Sequence, residues 1–293
     1  MISTKKRLLI LGSGGLLGSE LLSKNYFPDW EVLGHGRTAH MAGHADLSNT
    51  DETFSMLDEL RPDALLNLVG ITSVDHCESF PGEAYIGNVK TVENVASWIK
   101  KSENSIQLIH ISTDQVYDGS GPHRETAVSL KNYYAFSKYA GELVAGSVNA
   151  AILRTNFFGK SKCIKRSSLT DWIYHSLTEG KPIQVFEDVM FSPLSMKTLC
   201  EMIALVLNKE MSGIYNLGSK DGLSKADFAY VFAESVGIST KLMTRGPTTN
   251  VDFLRTYRPK DMRLAIRKFE IDAGITLPSL TNEVIDTAKE YLK

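Results

Sequence analysis

Cysteine is scarce: Cys77, Cys163 and Cys200 are the only three in 293 residues, with no C-x-x-C pair and no Cys/His cluster. That spacing excludes a disulfide framework and a zinc site, and it fits a reducing cytoplasm. An excess of either charge is also missing. The net charge is −2, so there is no global field to gather nucleic acid or an anionic membrane, and any anion has to be bound locally. No apolar run approaches the roughly 18 residues of a membrane span. Lys5-Lys6-Arg7 and the apolar residues 8–11 imitate a secretion signal, but Gly12, Gly14, Gly15 and Gly18 interrupt it and no A-x-A site follows. Internal repeats and low-complexity tracts are absent as well. His110 falls on a strand that reads as buried, and His35 and His44 fall in segments that read as loops. None has a partner at metal-ligand spacing, so no metal is expected.

What is present is an ordinary globular composition, 43% hydrophobic and 23% charged, which argues against disorder and coiled coil. At roughly 150 residues per domain the length suits two domains, or one α/β unit with an appendage. Short apolar runs at 8–11, 31–34, 64–69, 106–111 and 151–154 predict strands. Helical periodicity predicts helices over 16–24, 51–60, 83–101 and 132–145. The alternation predicts an α/β fold with a doubly wound parallel sheet. After Arg154 the rhythm loosens, and a smaller unit begins. A helix over 196–207 and a strand over 213–217 are expected to return to the sheet. The expected domains are thus 1–155 with about 190–220 for a dinucleotide, and about 156–189 with 221–293 for a substrate.

Gly12-Ser13-Gly14-Gly15-Leu16-Leu17-Gly18 follows the first strand and opens the first helix. A pyrophosphate must approach backbone closely and face the free N–H groups of a helix start, which glycine permits. Gly12, Gly14, Gly15, Leu16, Leu17 and Gly18 are therefore the expected cradle, of Rossmann type. The spacing is G-x-x-G-x-x-G, because Leu17 stands where the commoner G-x-G-x-x-G has its last glycine. The second strand ends in Gly34-His35-Gly36-Arg37, with no carboxylate for ribose hydroxyls. Arg37 can pair with a 2′-phosphate, which favours NADP(H) over NAD(H); an ordinary solvated arginine is the competing account. Asp46 and Leu47 are candidates to meet the adenine, or else simply to start a helix.

Tyr134 and Lys138 stand at i and i+4 of a predicted helix, on one face. A cation beside a phenol favours the phenolate, so such a phenol can exchange a proton with a ketone oxygen. Thr113, at the carboxyl end of strand 106–111, is placed to hold that oxygen, although Ser112-Thr113-Asp114 could equally cap a turn.

With these residues assembled, the sequence resembles the extended short-chain dehydrogenase/reductases, and among them the dTDP-4-dehydrorhamnose reductase group. The likeness runs over nearly the whole chain. It lies in the glycine turn, in Ser112-Thr113-Asp114 leading to Val116-Tyr117-Asp118-Gly119, in Tyr134-x-x-x-Lys138, and in later landmarks such as Gly213-Ile214-Tyr215 and Arg258-Pro259. The resemblance implies a catalytic set of Thr113, Tyr134 and Lys138, with Lys138 also on the nicotinamide ribose. It places Asn67, Gly70 and Asn88 by the cofactor, Asn88 supporting the lysine. Two departures fall near the expected sugar pocket. Asp114 is followed by Gln115 in place of an aromatic, and Arg154-Thr155 by Asn156-Phe157 in place of Ser-Trp.

The reading that follows is a cytoplasmic, NADPH-dependent reductase of the C4 ketone of a nucleotide-linked deoxysugar. Its partner is the nucleotide sugar, contacted by Asp114, Gln115, Asn156 and Phe157, and a homodimer is left open. Lys160, Lys162, Lys165, Arg166, Arg255, Arg258 and Arg263 make the second domain locally basic. Tyr257, Phe157, Phe158 and Phe191 read as core or pocket wall. The rival readings are a sugar epimerase or dehydratase that keeps NAD bound, and a non-catalytic regulatory subunit like that of methionine adenosyltransferase.

Overall fold

The computed structural model describes residues 5–36, 41–250 and 255–292. In chain order the elements begin β1 (Lys6–Leu11), α1 (Leu16–Ser23), β2 (Trp30–Gly36), β3 (Gly43–His44), α2 (Thr50–Leu60) and β4 (Ala64–Asn67). Then come α3 (Val74–Ser79), α4 (Pro81–Tyr85), a π-helical turn (Ile86–Lys90), α5 (Thr91–Lys101), β5 (Gln107–Thr113), α6 (Tyr133–Ala145) and β6 (Ala150–Thr155). The remainder is β7 (Phe157–Phe158), α7 (Leu169–Thr178), β8 (Ile183–Phe186), β9 (Met190–Phe191), β10 (Leu194–Ser195), α8 (Met196–Asn208), β11 (Gly213–Leu217), β12 (Leu223–Ser224), α9 (Lys225–Ser235), β13 (Met243–Gly246), α10 (Arg267–Ala273) and α11 (Leu280–Ala288).

Two compact units result. The first gathers Met1–Thr113, Asn132–Leu153 and Cys200–Ile214, and the second Asp114–Lys131, Arg154–Leu199 and Tyr215–Lys293. The main sheet has seven strands in the order β11-β6-β5-β4-β1-β2-β3. β1 runs parallel to both β2 and β4, and β4 parallel to β5. Helices on both faces leave such strands no exposed side, which is why 8–11 reads as an unbroken apolar run. Leu8, Leu9, Ile10 and Leu11 are all buried. The strand order reverses between β1 and β4, the position where open α/β sheets form a crevice beyond the strand ends. The helix expected over 83–101 is not continuous: α4 passes through the π-helical turn into α5, and the strand expected to reach residue 69 stops at Asn67.

The second unit has its own core, in which Phe158, Phe191, Phe228 and Phe232 are buried and Phe228 meets Phe158 and Phe191 edge-on. Asp114–Lys131, expected with the first domain, belongs here because of a buried polar network. Arg154, only 1% exposed, donates to Tyr117 Oη at 2.7 Å and to the Glu125 carbonyl at 2.6 Å. Tyr117 Oη donates in turn to Asn216 Oδ1, and Asn216 Nδ2 to the His123 carbonyl, both at 2.8 Å. A buried guanidinium must be satisfied in this way, since unpaired it would cost several kcal/mol.

In the first unit α6 lies unusually close to the π-helical turn. A Cβ added at Gly141 would sit 2.4 Å from the Asn88 carbonyl oxygen, a backbone atom that cannot step aside. Gly141→Ala should therefore lower stability by about 1–3 kcal/mol, read as an earlier urea midpoint. An unchanged midpoint would show that α6 can shift outward at no cost.

Candidate active site

The turn after β1 is built for close approach. Gly12 has φ +79°, and a Cβ there would lie 3.1 Å from the Val69 side chain and 3.2 Å from its backbone nitrogen. At Gly18 a Cβ would lie 2.5 Å from the Ser13 backbone, so α1 can rest on the turn only without a side chain. Gly15 is the N-cap of α1, offers no side-chain cap, and no acid occupies the first turn. The helix start is thus arranged to receive an anion. An added Cβ at Gly14 or Gly15 would make only ordinary contacts, its nearest atoms being at 3.9 and 3.5 Å. Leu17 is buried, so it contributes backbone alone.

His35 braces this turn from below. It is buried in β2, not in a loop as its sequence context suggested, and His44 likewise lies in β3. Its Nδ1 accepts from the Gly12 N–H at 3.3 Å, so Nε2 carries the proton and donates to the Ala45 carbonyl at 3.0 Å. Burial lowers its pKa, and the ring stays neutral. Leu47 has its side chain in the core, and its carbonyl accepts from Thr53 and Asn94. Asp46 closes a turn by accepting from the Ser48 N–H and hydroxyl, and Asn49 rather than Asp46 caps α2. Arg37 lies outside the described residues.

Thr113 is the last residue of β5, and Tyr134 and Lys138 stand one turn apart near the start of α6; all three are buried. Asn132 caps α6 by accepting from the Ala135 N–H at 2.8 Å. Lys138 Nζ donates to the Ile111 carbonyl at 2.8 Å. The π-helical turn turns Asn88 inward, where Oδ1 accepts from the Ile71 N–H at 2.7 Å and Nδ2 donates to Ser137 Oγ at 2.8 Å. Gly70 passes beside this group: an added Cβ would be 2.9 Å from Asn88 Oδ1 and 3.7 Å from Lys138 Nζ. Asn67 is buried at the end of β4. Its amide pairs with His110 Nδ1 at 3.1 Å, and its Oδ1 accepts from the Val69 N–H, shaping the turn after β4. Burial holds His110 well below the usual imidazole range, helped by the nearby Lys138 charge. Burial also pulls the Lys138 ammonium down to about 8, against an opposing pull from Glu142. Tyr134 stands one helical turn from this ammonium, on the same face of α6.

In the second unit Asp114 is buried and accepts from Asn156 Nδ2 at 2.8 Å, while Asn156 Oδ1 accepts from the Phe157 N–H. Gln115 sits in the short helical turn Asp114–Val116, and Phe157 opens β7. Lys225 joins this group and was not foreseen. Its half-buried side chain has its pKa lowered by burial, raised by Asp114 and lowered again by Arg258. Ser224-Lys225-Ala226-Asp227 reads only as a capped helix start, which it also is. Of the other basic residues, Lys162, Lys165 and Arg166 are exposed, Lys160 bonds the Glu290 carbonyl, and Arg263 pairs with Asp261. Among the described residues no three His, Cys, Asp or Glu side chains could hold a metal ion, and no helix is long and apolar enough to cross a membrane.

Residues 6–293 match the family described as RmlD substrate binding domain. A dTDP-4-dehydrorhamnose reductase of Salmonella typhimurium is 30% identical over 80% of this chain and 81% of its own length. One from Aggregatibacter actinomycetemcomitans is 28% identical, over 97% and 99%. In fold, the chain is similar to a crystal structure of dTDP-4-dehydrorhamnose reductase from Bacillus anthracis in complex with NADP. The TM-score is 0.88 at 22% identity, covering 98% of this chain and 100% of that one.

Lys138 is the testable element of this geometry. In protein labelled with 13Cε-lysine, its resonance should titrate near pH 8, below the ordinary lysine value of 10.5. A midpoint near 10.5 would mean that the ammonium is solvated and the buried arrangement wrong.

Proposed function

The chain belongs to the RmlD substrate binding domain family, and on that premise we propose that it is a cytoplasmic, NADPH-dependent reductase of the C4 ketone of a nucleoside-diphosphate deoxysugar. The observation that carries this reading is the buried set of Thr113, Tyr134 and Lys138 in the same unit as the uncapped glycine turn. The turn Gly12–Gly18 and the start of α1 fit a dinucleotide diphosphate, because Gly12 has a left-handed φ, a Cβ at Gly18 would collide with the Ser13 backbone, and the N-cap Gly15 carries no side-chain cap.

NADPH, when bound, supplies the hydride that reduces C4. The chain's own residues supply the rest. The Tyr134 hydroxyl donates its proton to the ketone oxygen, and the product is a C4 alcohol. The Lys138 ammonium steadies the phenolate left on Tyr134 and bonds the nicotinamide ribose. Thr113 holds the ketone oxygen in line for that transfer. Asn88 and Gly70 keep Lys138 in place and leave room for the ribose. Arg37 is assigned to the 2′-phosphate. Asp114, Gln115, Asn156 and Phe157 contact the sugar, with Lys225 and Arg258 supplying positive charge for the nucleotide. Because Gln115 and Asn156-Phe157 depart from the reductase pattern in this region, the substrate is assigned as a 4-keto-6-deoxy sugar and no single sugar is singled out.

The deciding assay follows loss of nicotinamide absorbance with NADPH and dTDP-4-keto-6-deoxy sugars. Turnover is expected. Its absence in protein that binds NADPH would overturn the reading. Tyr134→Phe should cut kcat by about 10²–10⁴-fold with NADPH affinity nearly unchanged, and a mutant of comparable turnover would remove Tyr134 from its role. Lys225→Ala should raise KM for the nucleotide sugar by about tenfold or more, leaving KM for NADPH unchanged. A rise in both would point to a general folding defect.

A further inference from the structure

Two polar pins fasten α6 to β5. Lys138 Nζ bonds the Ile111 carbonyl, and the very next strand residue, Ser112, donates its hydroxyl to Glu142 Oε1. Glu142 follows Lys138 by one helical turn, so ammonium and carboxylate share a face of α6. Their surroundings are dry: Ser112 is 5% exposed, Glu142 1% and Lys138 6%. Ser112 is followed directly by Thr113, so this pin also fixes the height of α6 against the residue assigned to the ketone oxygen.

A carboxylate buried this deeply is tolerated when hydrogen bonds and a cation compensate its lost hydration. The same holds in reverse for the ammonium. Among the described residues, the titratable groups facing Lys138 are Tyr134 and Glu142 on its own helix and His110 on β5; Asn88, from the π-helical turn, is uncharged. His110 is neutral, and Tyr134 is uncharged until it gives up its proton. Glu142 is the one acid among them.

We propose that Glu142, anchored by Ser112, is a positioning residue whose carboxylate supplies the buried countercharge that keeps Lys138 an ammonium beside Tyr134. The assignment of Lys138 to catalysis rests on the reductase reading; the electrostatic pairing does not. A role in packing alone would be served equally well by an amide, which has the same shape and can still accept from Ser112. Glu142→Gln therefore removes charge and little else.

The experiment uses the full chain labelled with 13Cε-lysine, with the Lys138 resonance identified by its loss in Lys138→Met. Glu142→Gln should move the Lys138 midpoint from about 8 downward by about one unit. The alkaline limb of the kcat/KM profile should move with it, giving about fivefold lower activity at pH 8 and little change at pH 6. An unmoved midpoint overturns the proposal, as does an activity loss equal at every pH. If neither wild type nor variant reduces a keto sugar but the midpoint still falls, the countercharge stands and the reductase reading fails. Should the Gln variant prove unfolded by circular dichroism, Glu142→Asp carries the test. It withdraws the charge by one methylene, so a smaller downward move supports the pairing and an unmoved midpoint refutes it.

Discussion

The first unit is organised around an ammonium held out of water. Lys138 is buried where α6 is set close to β5 and the Ile111 carbonyl meets Nζ. That closeness places further demands. Gly141 must lack a side chain for the helix to lie against the Asn88 carbonyl, and Gly70 must lack one to pass Asn88 and Lys138. Helix geometry itself gives way at Ile86–Lys90, where a π-helical turn replaces the ordinary hydrogen bonding and brings Asn88 to Ser137 and Ile71. A low local dielectric makes each of these polar contacts stronger and the loss of any one more costly.

Much of this was legible in the sequence because it depends on residues with little freedom. Gly12, Gly15 and Gly18 announce a backbone that must come near something, and Tyr134 and Lys138 announce a shared helical face. Strand and helix positions in the first unit follow from unbroken apolar runs and 3.6-residue periodicity. Long-range partnerships left no local trace. Nothing at His35 says that its ring lies beneath the glycine turn, and nothing at Leu47 says that its side chain turns to the core. Lys225 looks like any first-turn lysine until Asp114 and Arg258 are brought to it from 111 and 33 positions away. The π-helical turn was hidden for a related reason, since its periodicity differs from an α-helix over only five residues.

The second unit was the least readable, and the cause is its construction. β7, β9, β10 and β12 are two residues each, too short for an alternating pattern to declare itself. Its organising polar residue is Arg154, which in sequence merely ends a strand. Burial of that guanidinium is stabilised by Tyr117 and by the Glu125 carbonyl, neither of which is marked as its partner by spacing.

The interleaving of the units also constrains the order in which the chain can acquire structure. Asp114–Lys131 is bounded on both sides by the first unit, yet its Tyr117 bonds Asn216, 99 residues further on. Pairings of such sequence separation form late, because loop-closure entropy is spent before they return any stabilisation. During synthesis β1 to β5 can therefore assemble while the segment after Thr113 still lacks Arg154 and Asn216. The second unit completes only after most of the chain has emerged, so shortening the protein from its C-terminal end should strip that unit of its anchors before it unsettles the early strands of the sheet.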